Sequence, residues 1–265
     1  MLYTVFDVET SDLDPGCDVL SFAYSLCDEN FNIMRSEVLY FWKEGVTQWT
    51  EEAYQINKLS KDFLRQYADD YEKNLKKMYV VLSMADLVGY NSGFIRKDGI
   101  IGGFDFSRCK DFLKRNGYPA PEPRSFTDIM RIYQKHHAGY RAKLTKAFAE
   151  YKQSQELAAA ICETYFNDPV SNPHCASFDV AMTMLLFLDF YRKGWVDKED
   201  PGDDYVEQEE PKSALNGYKL SVHEDLILYV EFAGQAVPIT EFMKINPVDA
   251  DELLNNMAQY MVQEA

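Results

Sequence analysis

The sequence predicts an α/β fold: an antiparallel meander of three strands, then strands alternating with helices, then a small α/β appendage at the C-terminus. Three observations carry this. Met1–Val8, Val19–Cys27 and Ile33–Trp42 are apolar runs rich in β-formers and separated by short polar turns. From Thr50 to Tyr191, helical spacing alternates with brief apolar runs. After Gly194 the chain turns acidic and Pro/Gly-containing.

Taken in order, Met1–Val8 reads as a buried strand that ends in acids, with Asp7 and Glu9 at its C-terminal end. Asp12-Leu13-Asp14-Pro15-Gly16 is a turn, and Asp28-Glu29-Asn30 joins the second strand to the third. Thr50–Asn74 has helical spacing, with Thr50 before Glu51 and Glu52 as the start signal. Met78–Tyr90 passes from helix-like to strand-like spacing. Phe104–Asn116 is helical and closed by Asn116-Gly117. Pro119–Pro123 is a loop, Arg124–Asp128 a short strand and Leu144–Phe166 a long helix. A Pro/Asn loop, Asn167–Pro173, leads to an apolar helix over Ala176–Tyr191. Asp197–Pro211 reads as a linker. Leu226–Phe232 and Ala236–Phe242 form a hairpin around Gly234-Gln235, and Pro247 opens a last helix with Asp249, Asp251 and Glu252 in its first turn. This divides the chain into a domain at 1–193 and an acidic extension at 194–265.

A chain of 265 residues, 46% apolar and 26% charged, can bury one substantial core. The net charge of −16 argues against a nucleic-acid partner until its distribution is considered. Residues 191–265 hold 6 Lys/Arg against 16 Asp/Glu, a net of −10, which leaves −6 on residues 1–190. Two divalent cations among the acids would bring that part to about −2. No apolar run reaches the roughly 18 residues a bilayer span requires. The N-terminus meets Asp7 without a basic lead, so it is not read as a signal peptide. Five scattered cysteines without a CxxC fit reduced thiols in the cytoplasm.

Three short segments carry the chemistry. In Phe6-Asp7-Val8-Glu9-Thr10, strand residues two apart share a face, so Asp7 and Glu9 project together and repel unless a cation lies between them. A solvated strand end is the plain alternative for such a pair. In His174-Cys-Ala-Ser-Phe-Asp179, the acid falls in the first turns of an apolar helix, where it needs a partner or a metal. The imidazole sits just outside that helix; a lone histidine is more often structural. Phe104-Asp105 opens a helix and follows Gly89-Tyr90-Asn91, and a helix-start Asp alone is most often a cap. Residues 124–152 hold seven Lys/Arg against two acids, interleaved with Tyr133, His136, His137 and Tyr140: a phosphate track with stacking rings, or a solvated helix face. His136-His137 lacks a partnered ligand motif, and His223 lies in the acidic region.

Together and in this order, these segments resemble the DEDDh exonuclease superfamily, which includes the proofreading epsilon-type exonucleases, RNase T and oligoribonuclease. Asp7-Val-Glu-Thr-Ser-Asp-Leu-Asp-Pro15 matches its first motif and His174–Asp179 its third. Asn91 with Phe104-Asp105 matches the second, except that 14 positions separate Asn91 from Asp105 where the family keeps about four. Gly93–Gly103, with a turn at Lys97-Asp98-Gly99, therefore reads as an inserted hairpin or lid, and Asp98 is the alternative third carboxylate. Phe126-Thr-Asp128 and Leu144–Phe148 also resemble the family, and the likeness covers about residues 1–193.

The resemblance implies an RNase H-like mixed sheet whose later strands run parallel. It implies a 3′→5′ exonuclease acting on single-stranded DNA or RNA with a free 3′ end through two divalent cations, Mg²⁺ or Mn²⁺. Asp7 would bridge the cations, Glu9 and Asp179 would bind one, and Asp105 would hold the other. His174 would take the proton of the attacking water. The backbone at Thr10 and the side chain of Leu13 occupy the positions that grip and wedge the terminal nucleotide, with ordinary packing the alternative for Leu13. Relatives imply a homodimer, and the acidic extension offers a surface for a protein partner. Three rivals stand beside this: a non-cleaving DEDD-fold module that binds nucleic acid or protein, an endonuclease of the wider RNase H-like group, and a cysteine hydrolase built on Cys175, which lacks an orienting Asn or Asp.

Overall fold

The opening strands pair as a meander in the computed structural model, which is described for residues 2–28, 30–84, 86–96, 99–137, 139, 141–166, 168, 174–196, 218–222, 228–232 and 235–238. β1 (Leu2–Thr10) pairs antiparallel with β2 (Val19–Asp28), and β2 with β3 (Ile33–Tyr40). β4 (Asp86–Gly89) joins the other side of β1 in parallel, and β7 (Ser125–Asp128) joins β4 in parallel. The sheet order is β3-β2-β1-β4-β7, the mixed RNase H-like sheet the sequence implied.

The period of two along β1 sorts its side chains between two cores. Tyr3 and Val5 face α8 (Ala176–Arg192), where Tyr3 meets Phe187 edge to face at 5.1 Å between ring centroids. Phe6 faces the opposite way and packs on Phe22 and Phe126. Phe126 in turn meets Phe106 of α4 (Phe104–Arg115). α8 is buried on nearly every side, which explains its almost continuous apolar sequence.

Two helical stretches are shorter than their periodicity implied. Residues 50–84 form α1 (Glu51–Asn57), α2 (Lys61–Tyr67) and α3 (Tyr71–Met84). Lys58 ends α1 at φ 61, Ser60 caps α2 by accepting from Phe63 N, and Asp70 accepts from Lys73 N. The expected helix Leu144–Phe166 is broken too, into α6 (Leu144–Glu150), α7 (Gln155–Ile161) and a π-helical turn at Cys162–Phe166. Lys152 turns at φ 51, and Ser154 caps the restart by accepting from Leu157 N at 3.1 Å. Local capping overrides the helical period in both cases.

The inserted hairpin is present, as β5 (Gly93–Arg96) paired antiparallel with β6 (Gly99–Gly102). Its turn residue Asp98 lies outside the described residues. α5 (Ile129–His136) follows β7 directly.

The chain divides into two compact units, Met1–Val206 and Glu207–Ala265. The second contains β8 (Tyr218–Val222), β9 (Leu228–Phe232) and β10 (Gln235–Pro238) in one antiparallel sheet. The expected hairpin is thus its β9–β10 pair. His223 and the helix expected from Pro247 lie outside the described residues. Among the described residues no helix is long and apolar enough to cross a membrane.

Candidate active site

Parallel pairing between β1 and β4 ends at Val5–Val88, while β1 runs on against β2 through Asp7–Ala23 and Glu9–Ser21. Asp7 and Glu9 therefore project past the carboxyl end of the parallel ladder, where open α/β sheets collect ligands. They share the α8 side of β1 with Tyr3 and Val5, and α8 delivers Asp179 from its first turn. Carboxylate oxygens of Asp7, Glu9 and Asp179 all lie within 4.8 Å of one another. His174 stands two residues before α8, next to its N-cap Cys175, with an exposed side chain and a left-handed backbone at φ 70. Its N–H donates to Asp179 Oδ1 at 3.5 Å, which links the histidine's backbone to the acid cluster.

Asp105 comes from the opposite layer. The backbone on either side of the hairpin insertion meets again. Phe104 N donates to Asn91 O at 2.9 Å and Phe106 N to Ser92 O at 3.0 Å. A Cβ on Gly103 would stand 2.4 Å from Asn91 O and 2.7 Å from Gly93 N, so only glycine fits this closure. Ser92 Oγ then donates to Asp105 Oδ2 at 2.6 Å. Asp105 lies outside the tight group of three but close enough to raise the pKa of both Asp7 and Glu9. The sequence spacing of 14 thus collapses in space.

All four carboxyls are pushed upward. Burial is the largest cause for Asp7, followed by the charges of Asp105, Asp179 and Glu9. Burial leads for Glu9 as well, followed by Asp179 and Asp105. Asp105 is raised to about 7, mainly by burial and then by Asp128 and Asp179, against the Ser92 hydroxyl. Burial also raises Asp179 to about 7, against the His174 N–H. Among the described residues none of the four has a Lys or Arg ion pair. Negative charge gathered without a cation needs protons or metal, and an all-oxygen donor set suits a hard divalent cation. The residues present fit that group.

Thr10 and Leu13 lie on the segment following these acids. Thr10 is buried, and its Oγ1 donates to Asp12 O at 2.7 Å. Leu13 is 70% exposed, which removes the alternative of ordinary packing. Asn91 is exposed at φ 60, its N–H held by Asp128 Oδ1 at 3.1 Å. Asp128, noted in the sequence only as part of a segment resembling the family, proves to be a neighbour of this turn. It is buried and accepts from the backbone at 91, 93, 130 and 131, pinning the turn after β4 to the start of α5. Ser92 was missed, since nothing local distinguishes it.

Of the rings proposed for the basic segment, Tyr133 is buried, His137 half-buried and His136 exposed. Tyr133 is 1% exposed, and its ring stacks on His137 at 3.8 Å, while His136 stacks on Trp195 at 3.9 Å. Tyr140 lies outside the described residues. Tyr133 is therefore a core residue and not a stacking ring for a base. All five cysteines are buried and none of them forms a disulfide.

No family model and no curated protein matches this chain in sequence. Solved structures do match. E. coli Exonuclease I in complex with a dT13 oligonucleotide superposes with a TM-score of 0.52 and 16% identity over 73% of this chain and 42% of that one. The nuclease domain of 3′hExo, a DEDDh family member bound to rAMP, gives 0.53 and 16% over 73% of this chain and 92% of that domain. This chain shares the fold of these nucleases. A 3′-exonuclease in a structure of 3′-end specific recognition of a histone mRNA stem-loop gives 0.53 and 14% over 89% of this chain and 70% of that one. At these identities the likeness fixes architecture alone. The chain spans about two fifths of the length of Exonuclease I.

Proposed function

We propose that residues 1–193 form a metal-dependent 3′→5′ exonuclease domain that hydrolyses single-stranded DNA or RNA from its 3′ end. The observation that carries this is the meeting of Asp7, Glu9 and Asp179 within 4.8 Å, with the charge of Asp105 near enough to raise the pKa of Asp7 and Glu9 and, among the described residues, no Lys or Arg ion pair to them. The fold shared with 3′-exonucleases supports it, as do their complexes with dT13 and rAMP.

Asp7, Glu9 and Asp179 would hold one divalent cation, Mg²⁺ or Mn²⁺, and Asp105 with Asp7 a second. Bound there, such cations supply positive charge for the scissile phosphate and lower the pKa of water. The protein's own part is then defined. His174, exposed beside Asp179, accepts the proton of the attacking water at its ring nitrogen and hands it to solvent. Ser92 orients Asp105. Leu13 and the backbone at Thr10 meet the terminal nucleotide, and Asn91 lines the same edge. Buried cysteines that form no disulfide fit a cytoplasmic setting. The acidic extension, 194–265, offers a protein-facing surface.

Oligonucleotides of DNA and RNA, labelled at the 5′ end, are incubated with Mg²⁺, Mn²⁺ or EDTA. A ladder shortening one nucleotide at a time from the 3′ end, abolished by EDTA, is expected. His174→Ala is expected to keep the fold and to lose about 10²–10⁴-fold in turnover. Binding without cleavage under every cation would support the non-cleaving module instead, and cleavage past a blocked 3′ end would support an endonuclease.

A further inference from the structure

The turn after β1 combines an exposed apolar tip with a fully tied backbone. Leu13 is 70% exposed, the largest value among the exposed large apolar side chains described. Its side chain stands largely in solvent, yet its backbone is anchored on both sides. Its N–H donates to Asp12 Oδ1 at 2.6 Å, and its carbonyl accepts from Arg108 Nη2. The rest of the turn is tied as closely. Thr50 Oγ1 donates to Ser11 O at 2.6 Å, Asn57 Nδ2 to Thr10 O at 3.3 Å, and Arg115 Nη2 to Cys17 O at 2.6 Å. α1 thus grips the turn from one side and α4 from the other.

Exposing a leucine gains nothing for folding, and ordering the turn around it costs conformational entropy. Such a rigid, presented apolar group is built for a ligand. Among the described residues Arg108 is the one side chain that fixes the carbonyl of Leu13 itself, and it lies one helical turn from Asp105 on α4. Its guanidinium is half-buried, with the carbon 4.7 Å from the centre of the Phe104 ring and Nε buried without a partner. An arginine held on an aromatic face with its Nε sealed off is a fixed strut, and its reach is set by α4.

We infer that Arg108 is a positioning residue that locks Leu13 as the apolar platform for the base of the 3′-terminal nucleotide, in register with the Asp105 helix. This rests on the exonuclease reading of the site. Its chemistry is general: an aliphatic side chain covers the face of any base, so the platform senses that a base is there and not which one.

The test compares hydrolysis of oligonucleotides ending in a normal nucleotide with the same oligonucleotides ending in an abasic one. In the unaltered protein the base raises kcat/KM by about tenfold, as expected for partial burial of one leucine. In Arg108→Ala that ratio falls to about 1. Arg108→Lys, which keeps a donor for the Leu13 carbonyl, recovers most of it. If Arg108 serves stability alone, both rates fall together and the ratio stays near ten, which overturns the proposal. Failure of the nuclease reading shows separately, as no hydrolysis of any substrate by the unaltered protein. Binding then decides, using an oligonucleotide with 2-aminopurine at its 3′ end in the presence of Ca²⁺. A fluorescence change lost in Arg108→Ala and kept in Arg108→Lys supports the platform; no change with the unaltered protein, or an equal change in all three, overturns it.

Discussion

Asp105→Asn isolates the energetic cost of assembling the acid cluster. Asn is nearly isosteric and keeps an oxygen for the Ser92 hydroxyl, so the exchange removes charge and little else. Asp105 is 7% exposed, and burial pushes its carboxyl from an ordinary 3.8 up to about 7. The sign follows from proton binding. In the unfolded chain Asp105 ionises near its ordinary value, whereas the folded protein holds the proton until about pH 7. Between these values the native state binds more protons, so stability falls as pH rises and levels off above the folded pKa. Asn does not titrate. Between about pH 5 and about pH 8 the variant should therefore gain on the unaltered protein by about two pH units' worth, roughly 3 kcal/mol.

Urea unfolding in EDTA at the two pH values measures this directly, and a thermal midpoint should rise by roughly 6–12 °C in the variant at the higher pH. Adding Mn²⁺ should then reverse the order, because the ion stabilises only the protein that keeps its carboxylates. Parallel stability curves for the two proteins across that pH range would refute the claim that Asp105 is held at a charged, desolvated site. A variant less stable than the unaltered protein at about pH 8 would do so more strongly.

The remaining predictions concern the same architecture. Gly103→Ala places a methyl 2.4 Å from Asn91 O and should cost about 2 kcal/mol or more in denaturant unfolding, with loss of divalent binding as Asp105 moves away. Divalent affinity should rise with pH up to about 7, where Asp105 and Asp179 give up their protons, and calorimetry in buffers of different ionisation enthalpy should detect proton release. A pH-independent affinity would show that the ion binds elsewhere.

Much of the site was legible in the chain because its parts are local. The Asp7–Glu9 pair needs only the strand period of two, and His174–Asp179 only a helix start, so both followed from pattern. The meander followed from three apolar runs and their turns. The breaks at Lys58 and Lys152 did not, because a residue entering the left-handed region there leaves the apolar period on either side intact. The aromatic rings beside the basic segment looked available for bases for a related reason: composition does not record that Tyr133 is spent on His137 and the core.

The sequence alone pointed to Asp7, Glu9, His174 and Asp179, because the strand period and a helix start place each pair locally and the order of the segments resembles a known family. Only the tertiary structure decided that Asp105 joins them. A hairpin of ten residues separates it from Asn91 along the chain, and the closure at Gly103 that cancels this distance depends on backbone contacts between Asn91–Gly93 and Gly103–Phe106. The anchoring of Leu13 by Arg108 is likewise a contact between residues 95 positions apart. Local propensity carries no information about such pairs, because their energy exists only once the sheet and α4 have packed.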